Sequence, residues 1–239
     1  MNGRRGALAL LTAALLLVGF GLWRDRAPGL PVVSGEGPGV APAASDPVVR
    51  ASPTPPTRAA RPVPVVVARG DGVLHQVSGR SARSGSGPLL RYSVAVEGGL
   101  GIAAAGFAAA VERTLADDRS WGHGGRASFV RVDSGPTDFQ VSLASPTTTD
   151  RLCAPLDTHG DFSCGTGSHA VVNSMRWLRG APSYTGQLAR YREYVVNHEV
   201  GHTLGRGHAP CPRSGGLAPV MMQQTLGVGG CRPSPWPFP

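Results

Sequence analysis

The segment VVNHEVGHTLGRGH, residues 195–208, holds three of the seven histidines in the chain. His198 and His202 are four residues apart, so on an α-helix both rings leave the same face. Glu199 lies about 100° round such a helix from His198, close enough to contact a metal-bound water without ligating the metal. Gly205 can adopt a positive φ and end the helix, which would bring His208 back as a third ligand. The segment predicts a helix ending in a three-histidine site for one divalent metal.

Three neutral imidazoles leave one tetrahedral position open to water, which is typical of catalytic rather than structural zinc. The extended pattern His-Glu-x-x-His-x-x-Gly-x-x-His resembles the signature of the metzincin zinc peptidases. The turn at residues 219–222 resembles the Met-bearing turn that metzincins carry beneath the metal, with Met221 the better match and Met222 the alternative. From about residue 91 onward the chain also resembles an uncharacterised family of secreted actinobacterial proteins with a metzincin-type motif.

The apolar patterning of residues 62–239 predicts an α+β domain. Period-two alternation indicates strands at 92–97, 128–133, 139–143 and 170–173, with an earlier strand at 63–67 or 73–77 and a flexible loop at 81–87. Residues 102–116 indicate a helix that backs the sheet, and about 187–204 the helix of the metal site. The resemblance implies a metzincin-like fold: a twisted, mostly antiparallel or mixed sheet over an irregular C-terminal lobe.

Four cysteines occur as two close pairs, and an extracytoplasmic location predicts that they are oxidised. Three connectivities are possible. Proximity in sequence favours Cys153–Cys164 and Cys211–Cys231. The alternative, a four-cysteine zinc site, is disfavoured by the absence of any Cys-x-x-Cys spacing.

The N-terminal part of the chain predicts membrane attachment. Residues 6–23 form an uncharged apolar run of roughly 27 Å as a helix, and the arginines before it favour a cytoplasmic N-terminus. We therefore expect a signal anchor at 1–26, with a cleaved signal peptide, and hence secretion, as the alternative. Residues 27–61 are rich in Pro and Ala and predict a disordered linker.

The charge distribution argues against a nucleic-acid partner. The net charge of +8 is concentrated in residues 1–90, with 10 Arg against 4 acidic residues, whereas residues 91–239 have 13 Arg against 11. The domain is thus nearly neutral and lacks the basic surface that nucleic acid requires. We expect a monomer that acts on a peptide or protein substrate.

These features predict a membrane-anchored extracytoplasmic zinc endopeptidase. Zinc on His198, His202 and His208 would activate a water, with Glu199 as general base. The alternatives are a non-catalytic binding module with a structural zinc, and a hydrolase of cell-wall amides. His159 and His169 flank the first cysteine pair and are predicted to be solvated loop residues, with a place along the cleft as the alternative.

Overall fold

The computed structural model describes residues 64–239. Seven strands form one mixed sheet. They are β1 (Leu74–Gln76), β2 (Ser84–Gly85), β3 (Leu89–Glu97), β4 (Ser128–Arg131), β5 (Phe139–Ala144), β6 (Cys164–Thr166) and β7 (His169–Asn173). Their order is β2-β4-β3-β5-β7-β6, with β1 paired to β3 outside this path.

Four α-helices accompany the sheet: α1 (Ala104–Ala116), α2 (Pro146–Cys153), α3 (Ser174–Arg179) and α4 (Leu188–Thr203). Short 3-10 turns occur at His123–Gly125 and Pro182–Tyr184. The predicted α+β class is confirmed, with a mixed sheet, a backing helix and the helix that carries His198 and His202.

The parallel pairs lie at the centre of the sheet and the antiparallel pairs at its margins. β3 pairs in parallel with β4 along its first half and with β5 along its second, and β5 continues the parallel pairing to β7. β1, β2 and β6 each pair antiparallel to a neighbour. Since β6 has β7 as its one partner, its other side is a free edge of the sheet.

The two faces of the sheet are covered by different helices. Side chains alternate between faces along a strand, and in β7 Ala170 and Val172 join the main core together with α1 and α4 residues. Val171, between them, packs on the other face with Cys153 of α2 and Cys164. α4 is buried continuously over residues 194–201 because it lies between this sheet and the C-terminal segment.

Four elements were not predicted: β2, β6, α2 and α3. The loop expected at 81–87 contains β2, whose two residues pair with β4. The N-termini of α2 and α3 carry ordinary capping signals, because Ser145 accepts a hydrogen bond from the Thr148 amide and Asn173 accepts one from the Met175 amide. The triple threonine that follows Pro146 has low helix propensity, which hides α2 from a periodicity argument.

Both predicted disulfides are confirmed. Cys153–Cys164 joins the end of α2 to the start of β6. Cys211–Cys231 closes a loop in the C-terminal segment, where residues 209–239 contain no helix or strand beyond an isolated bridge of Leu217 with Arg232. The two disulfides therefore stabilise a loop and a C-terminal segment that contain little regular backbone hydrogen bonding.

The predicted signal anchor at 1–26 and linker at 27–61 lie outside the described residues. Within residues 64–239, no helix has both the length and the apolarity needed to cross a bilayer.

Candidate metal centre

The C-terminal end of α4 positions the histidines. Gly205 has φ +75°, its amide donates to the His202 carbonyl, and the Arg206 amide donates to the Gly201 carbonyl. These two bonds form a Schellman motif, which needs a residue without a Cβ at the left-handed position. The chain therefore reverses direction directly after the helix and returns His208 towards His202.

Three imidazole nitrogens converge at this turn. The Nε2 of His202 lies 3.3 Å from that of His198 and 3.1 Å from that of His208. One ligand atom from each histidine falls within 4.8 Å of the other two. For zinc–nitrogen bonds of about 2.0–2.1 Å, a tetrahedral ion separates its ligands by roughly 3.3–3.4 Å. The observed spacing fits one such ion.

Backbone carbonyls fix which nitrogens face the centre. The Nδ1 of His198 lies 2.8 Å from the Val220 carbonyl oxygen, and that of His202 lies 2.9 Å from the Arg206 carbonyl oxygen. A carbonyl only accepts, so both Nδ1 atoms carry the proton and both Nε2 atoms present lone pairs. Facing lone pairs repel unless a cation lies between them, so this arrangement is suited to a metal ion.

Burial keeps the rings neutral. Desolvation lowers the pKa of His198 to about 3 and lowers the pKa of His202 and of His208 below the ordinary imidazole value. Because a lowered imidazole pKa favours the unprotonated form, all three nitrogens are available as ligands at neutral pH.

Glu199 lies beside the histidines in the same cleft. Its side chain is buried and accepts no hydrogen bond from any group of residues 64–239, and burial raises the pKa of its carboxyl group well above the usual range. A carboxylate without protein partners at the floor of a cleft is free to interact with a water or a ligand.

The cleft has a volume of about 420 Å³ and is bounded by three segments. One segment is the loop 154–163 with the start of β6, the second is α4 with the turn that follows it, and the third is the C-terminal segment at residues 223–226. Gly165 of β6 lies directly on α4, because a Cβ placed there would meet the Glu199 carbonyl oxygen at 2.3 Å and the His202 Cβ at 2.5 Å. The edge strand β6 therefore lies immediately beside α4.

Met221 packs against α4 between the positions of His198 and His202. A Cβ on Gly201 would lie 2.4 Å from the Met221 Sδ and 2.7 Å from the Trp121 Cζ2, so these two side chains pack on the bare backbone of α4 between His198 and His202. Met222 instead approaches Gly229. Of the two candidates, Met221 is therefore the one whose side chain packs on the helix that carries His198 and His202.

A buried amide holds the same turn in place. The Gln224 side chain is fully buried: its Nε2 donates to the Pro219 and Ser234 carbonyls, and its Oε1 accepts from the Tyr184 hydroxyl and the Ser234 amide. Pro219 precedes Val220, whose carbonyl orients His198. Gln224 therefore links the C-terminal tail to the histidine site.

Two further polar residues of α4 support the site. The Tyr194 hydroxyl donates to the Met222 carbonyl at 2.9 Å and accepts from the Gln224 amide at 2.8 Å. Asn197 is buried on the opposite side, where it bonds to the Ser120 hydroxyl and the Pro235 carbonyl.

The residues that sequence reasoning missed are Gly165, Gly201, Tyr194, Asn197 and Gln224. Tyr194 precedes His198 by one helical turn, a spacing that predicts contact. The importance of the other four depends on partners distant in sequence. Of the two flanking histidines, His159 lines the cleft, whereas His169 is an exposed residue at the start of β7 rather than in a loop.

Fold and site together define an α+β protein with a three-histidine cluster that could hold one metal ion. The chain belongs to a family described as protein of unknown function (DUF3152), whose model matches residues 61–232. No curated protein and no solved structure matches the chain.

Proposed function

We propose that this protein is a zinc-dependent endopeptidase of metzincin type that acts outside the cytoplasm. The observation that carries the proposal is the convergence of three Nε2 atoms, with 3.1 and 3.3 Å between neighbouring nitrogens, beside the otherwise unpartnered Glu199. Zinc is the metal that three imidazoles with an open fourth position favour, because carboxylate-poor nitrogen sites suit it better than they suit magnesium or calcium. When bound, zinc would supply a Lewis acid that lowers the pKa of a water ligand towards about 7.

Glu199 would act as the general base. It would take a proton from the attacking water and deliver it to the nitrogen of the leaving amine. Its burial supports this role, because a carboxylate with a raised pKa is a stronger base than one in water. The adjacent histidines cannot take this role while their Nε2 atoms bind the metal and their Nδ1 atoms donate to carbonyls.

The edge strand β6 supports a peptide as the substrate. A two-residue loop connects β6 to β7, so the pair that flanks the loop, Thr166 with His169, is a hydrogen-bonded pair. Hydrogen-bonded and non-hydrogen-bonded pairs alternate along an antiparallel ladder, so the next pair, Gly165 with Ala170, is not hydrogen-bonded. The N–H and C=O of Gly165 therefore point away from β7, and neither makes a hydrogen bond within residues 64–239. An extended peptide could pair with this edge and pass directly over Glu199 and His202.

The extracytoplasmic location is supported by the predicted anchor at residues 1–26 and by the two disulfides, which persist in oxidising environments. A domain anchored by one N-terminal helix would act at the outer membrane surface, and a cleaved segment would release it. The near-neutral domain charge is consistent with a peptide or protein substrate.

The test uses the chain from residue 62 onward, loaded with zinc, and a quenched fluorescent peptide library. We expect turnover that a chelator abolishes and zinc restores, and Glu199→Gln should reduce turnover by at least 100-fold while zinc content by elemental analysis stays at one per chain. Unchanged turnover in Glu199→Gln would remove the proposed base.

The same measurement separates the alternative functions. A protein that binds zinc and unfolds on chelation, yet cleaves no peptide in the library, would be a binding module with a structural metal. Release of amines from isolated cell wall without cleavage of linear peptides would instead indicate a hydrolase of cell-wall amides.

A further inference from the structure

The loop at residues 154–163 forms one rim of the cleft and is held at several points. The Cys153–Cys164 disulfide closes its ends, and the Asn173 amide nitrogen Nδ2 donates to the Gly160 carbonyl at 3.1 Å. Arg176 donates to the Asp161 carbonyl at 2.7 Å. Side chains on this loop are therefore presented to the cleft from a constrained backbone.

The tightest constraints surround His159. Asp150 of α2 accepts hydrogen bonds from the Thr158 hydroxyl and the Gly160 amide, the residues on either side of it. His159 itself has φ +51° and is the sole non-glycine with positive φ within residues 64–239. Histidine is among the residues that tolerate this region, but a non-glycine there is worth explaining and such residues cluster at functional sites.

Asp157 orients the imidazole. One carboxylate oxygen accepts from the His159 amide at 2.9 Å, and the other lies 3.1 Å from the His159 Nδ1. The two side chains form an ion pair when the ring is protonated, and Nε2, which has no hydrogen-bond partner within residues 64–239, is the ring atom left for a ligand. The pair is solvent-exposed and lines the same cleft as the three ligand histidines and Glu199.

The hydroxyl and amide side chains along the cleft either make hydrogen bonds within the protein or are not held in one orientation. The hydroxyls of Thr158, Ser163 and Thr225 are each in a hydrogen bond within the protein. Gln223 lines the cleft as well, but its exposed side chain makes no hydrogen bond within residues 64–239 that would hold it in one orientation. Apart from the three clustered histidines, His159 is the cleft side chain within residues 64–239 that is both free at one polar atom and held by a partner.

We propose that His159, oriented by Asp157, is a catalytic residue that donates a hydrogen bond from Nε2 to the carbonyl oxygen of the scissile peptide as that oxygen becomes negative. The donor is the imidazolium form, whose charge the Asp157 carboxylate offsets. No covalent bond forms and the proton stays on His159 throughout. The role rests on the proposed peptidase function and adds a protein donor to it.

The donor role requires a proton on the Nε2 atom of His159. The other titratable groups that line the cleft are Asp157 on the same loop, four residues of α4 and one after the turn: Tyr194, His198, Glu199, His202 and His208.

The closing experiment compares His159→Gly, His159→Gln and wild type on whichever library peptide the wild type cleaves fastest. Glycine relieves the positive φ, so we expect a higher unfolding temperature, unchanged zinc affinity and a kcat lower by about 100-fold. Glutamine keeps a neutral N–H donor, so its residual activity should exceed that of the glycine variant.

The control is His75→Gln, which removes a comparable histidine–carboxylate pair with Asp71, 3.4 Å apart, outside the cleft. It should leave kcat unchanged. Wild-type turnover with kcat retained within threefold in His159→Gly would overturn the role of His159 and leave the peptidase proposal standing. A zinc-loaded wild type that cleaves nothing would overturn both.

Discussion

The Nδ1 atom of His198 donates a hydrogen bond to the carbonyl oxygen of Val220 across 22 residues of sequence, at 2.8 Å. This bond aims the Nε2 lone pair at His202 and His208. It also makes the geometry of the site depend on the position of the turn at residues 219–222, which is held by side chains such as Gln224 and Tyr194.

Gln224 is the first of those side chains to test. Gln224→Glu has almost the same shape but loses the two N–H groups that bind the Pro219 and Ser234 carbonyls. We expect zinc affinity to fall by about 10- to 100-fold, the range typical of residues that orient a ligand, as measured by competition with a chromophoric chelator.

Gln187→Glu is the matched control, because it makes the same chemical change at an exposed residue next to the start of α4. It should leave zinc affinity within twofold of wild type. Equal affinity in the two variants would show that Gln224 has no part in positioning His198.

Gly201 allows the Met221 and Trp121 side chains to pack closely against α4. In Gly201→Ala the added Cβ would meet the Met221 Sδ at 2.4 Å, so overpacking should lower the free energy of unfolding by about 1–3 kcal/mol in urea. Gly106→Ala is a control with the opposite expected effect. This exposed glycine of α1 has ordinary contacts only, and alanine there should raise the free energy of unfolding by up to about 1 kcal/mol through its higher helix propensity. A stabilised Gly201→Ala would mean that the contact is not close.

The Cys211–Cys231 bridge should stabilise the C-terminal segment mainly through the unfolded state. Its sequence separation of 20 residues corresponds to about 3 kcal/mol of loop-closure entropy. We expect the double variant Cys211→Ser with Cys231→Ser to lose about that amount in urea unfolding monitored by tryptophan fluorescence. A loss under about 0.5 kcal/mol would indicate that the segment is held by its other contacts.

Glu97 should make the fold sensitive to acid. Its buried carboxylate accepts hydrogen bonds from the Ser145 amide at 2.6 Å, the Thr148 hydroxyl at 2.8 Å and the Gly72 amide at 2.9 Å. Burial alone would raise the pKa of Glu97, but these bonds outweigh it and the pKa is lowered from 4.5. The carboxylate therefore stabilises the fold at pH values above 4.5, and this stabilisation is lost as pH falls through the lowered pKa of Glu97.

The Glu97→Gln variant tests the direction of this pH dependence. The difference in unfolding free energy between wild type and variant should be largest near pH 7 and should shrink as the pH is taken towards 3, measured by urea unfolding at each pH. A difference that stays constant over this range would show that the charge of Glu97 makes no contribution.

Local sequence patterns predicted the elements whose residues share one strong periodicity. Residues 92–97 and 139–143 alternate along β3 and β5, and the α4 pattern persists because the helix is apolar on two sides. β2 and β6 escaped prediction because two or three residues carry no measurable period, and α2 because three threonines disfavour a helix that Ser145 and packing nonetheless stabilise.

The sequence by itself determined the histidine spacing, the glycine that reverses the chain and the cysteine pairs, because each depends on residues within about 20 positions of one another. The tertiary structure alone decided that Val220 orients His198, that β6 lies on α4 through Gly165, and that the loop carrying His159 borders the same cleft. Those relationships join segments whose meeting depends on how the sheet packs on α4, and no local pattern encodes that packing.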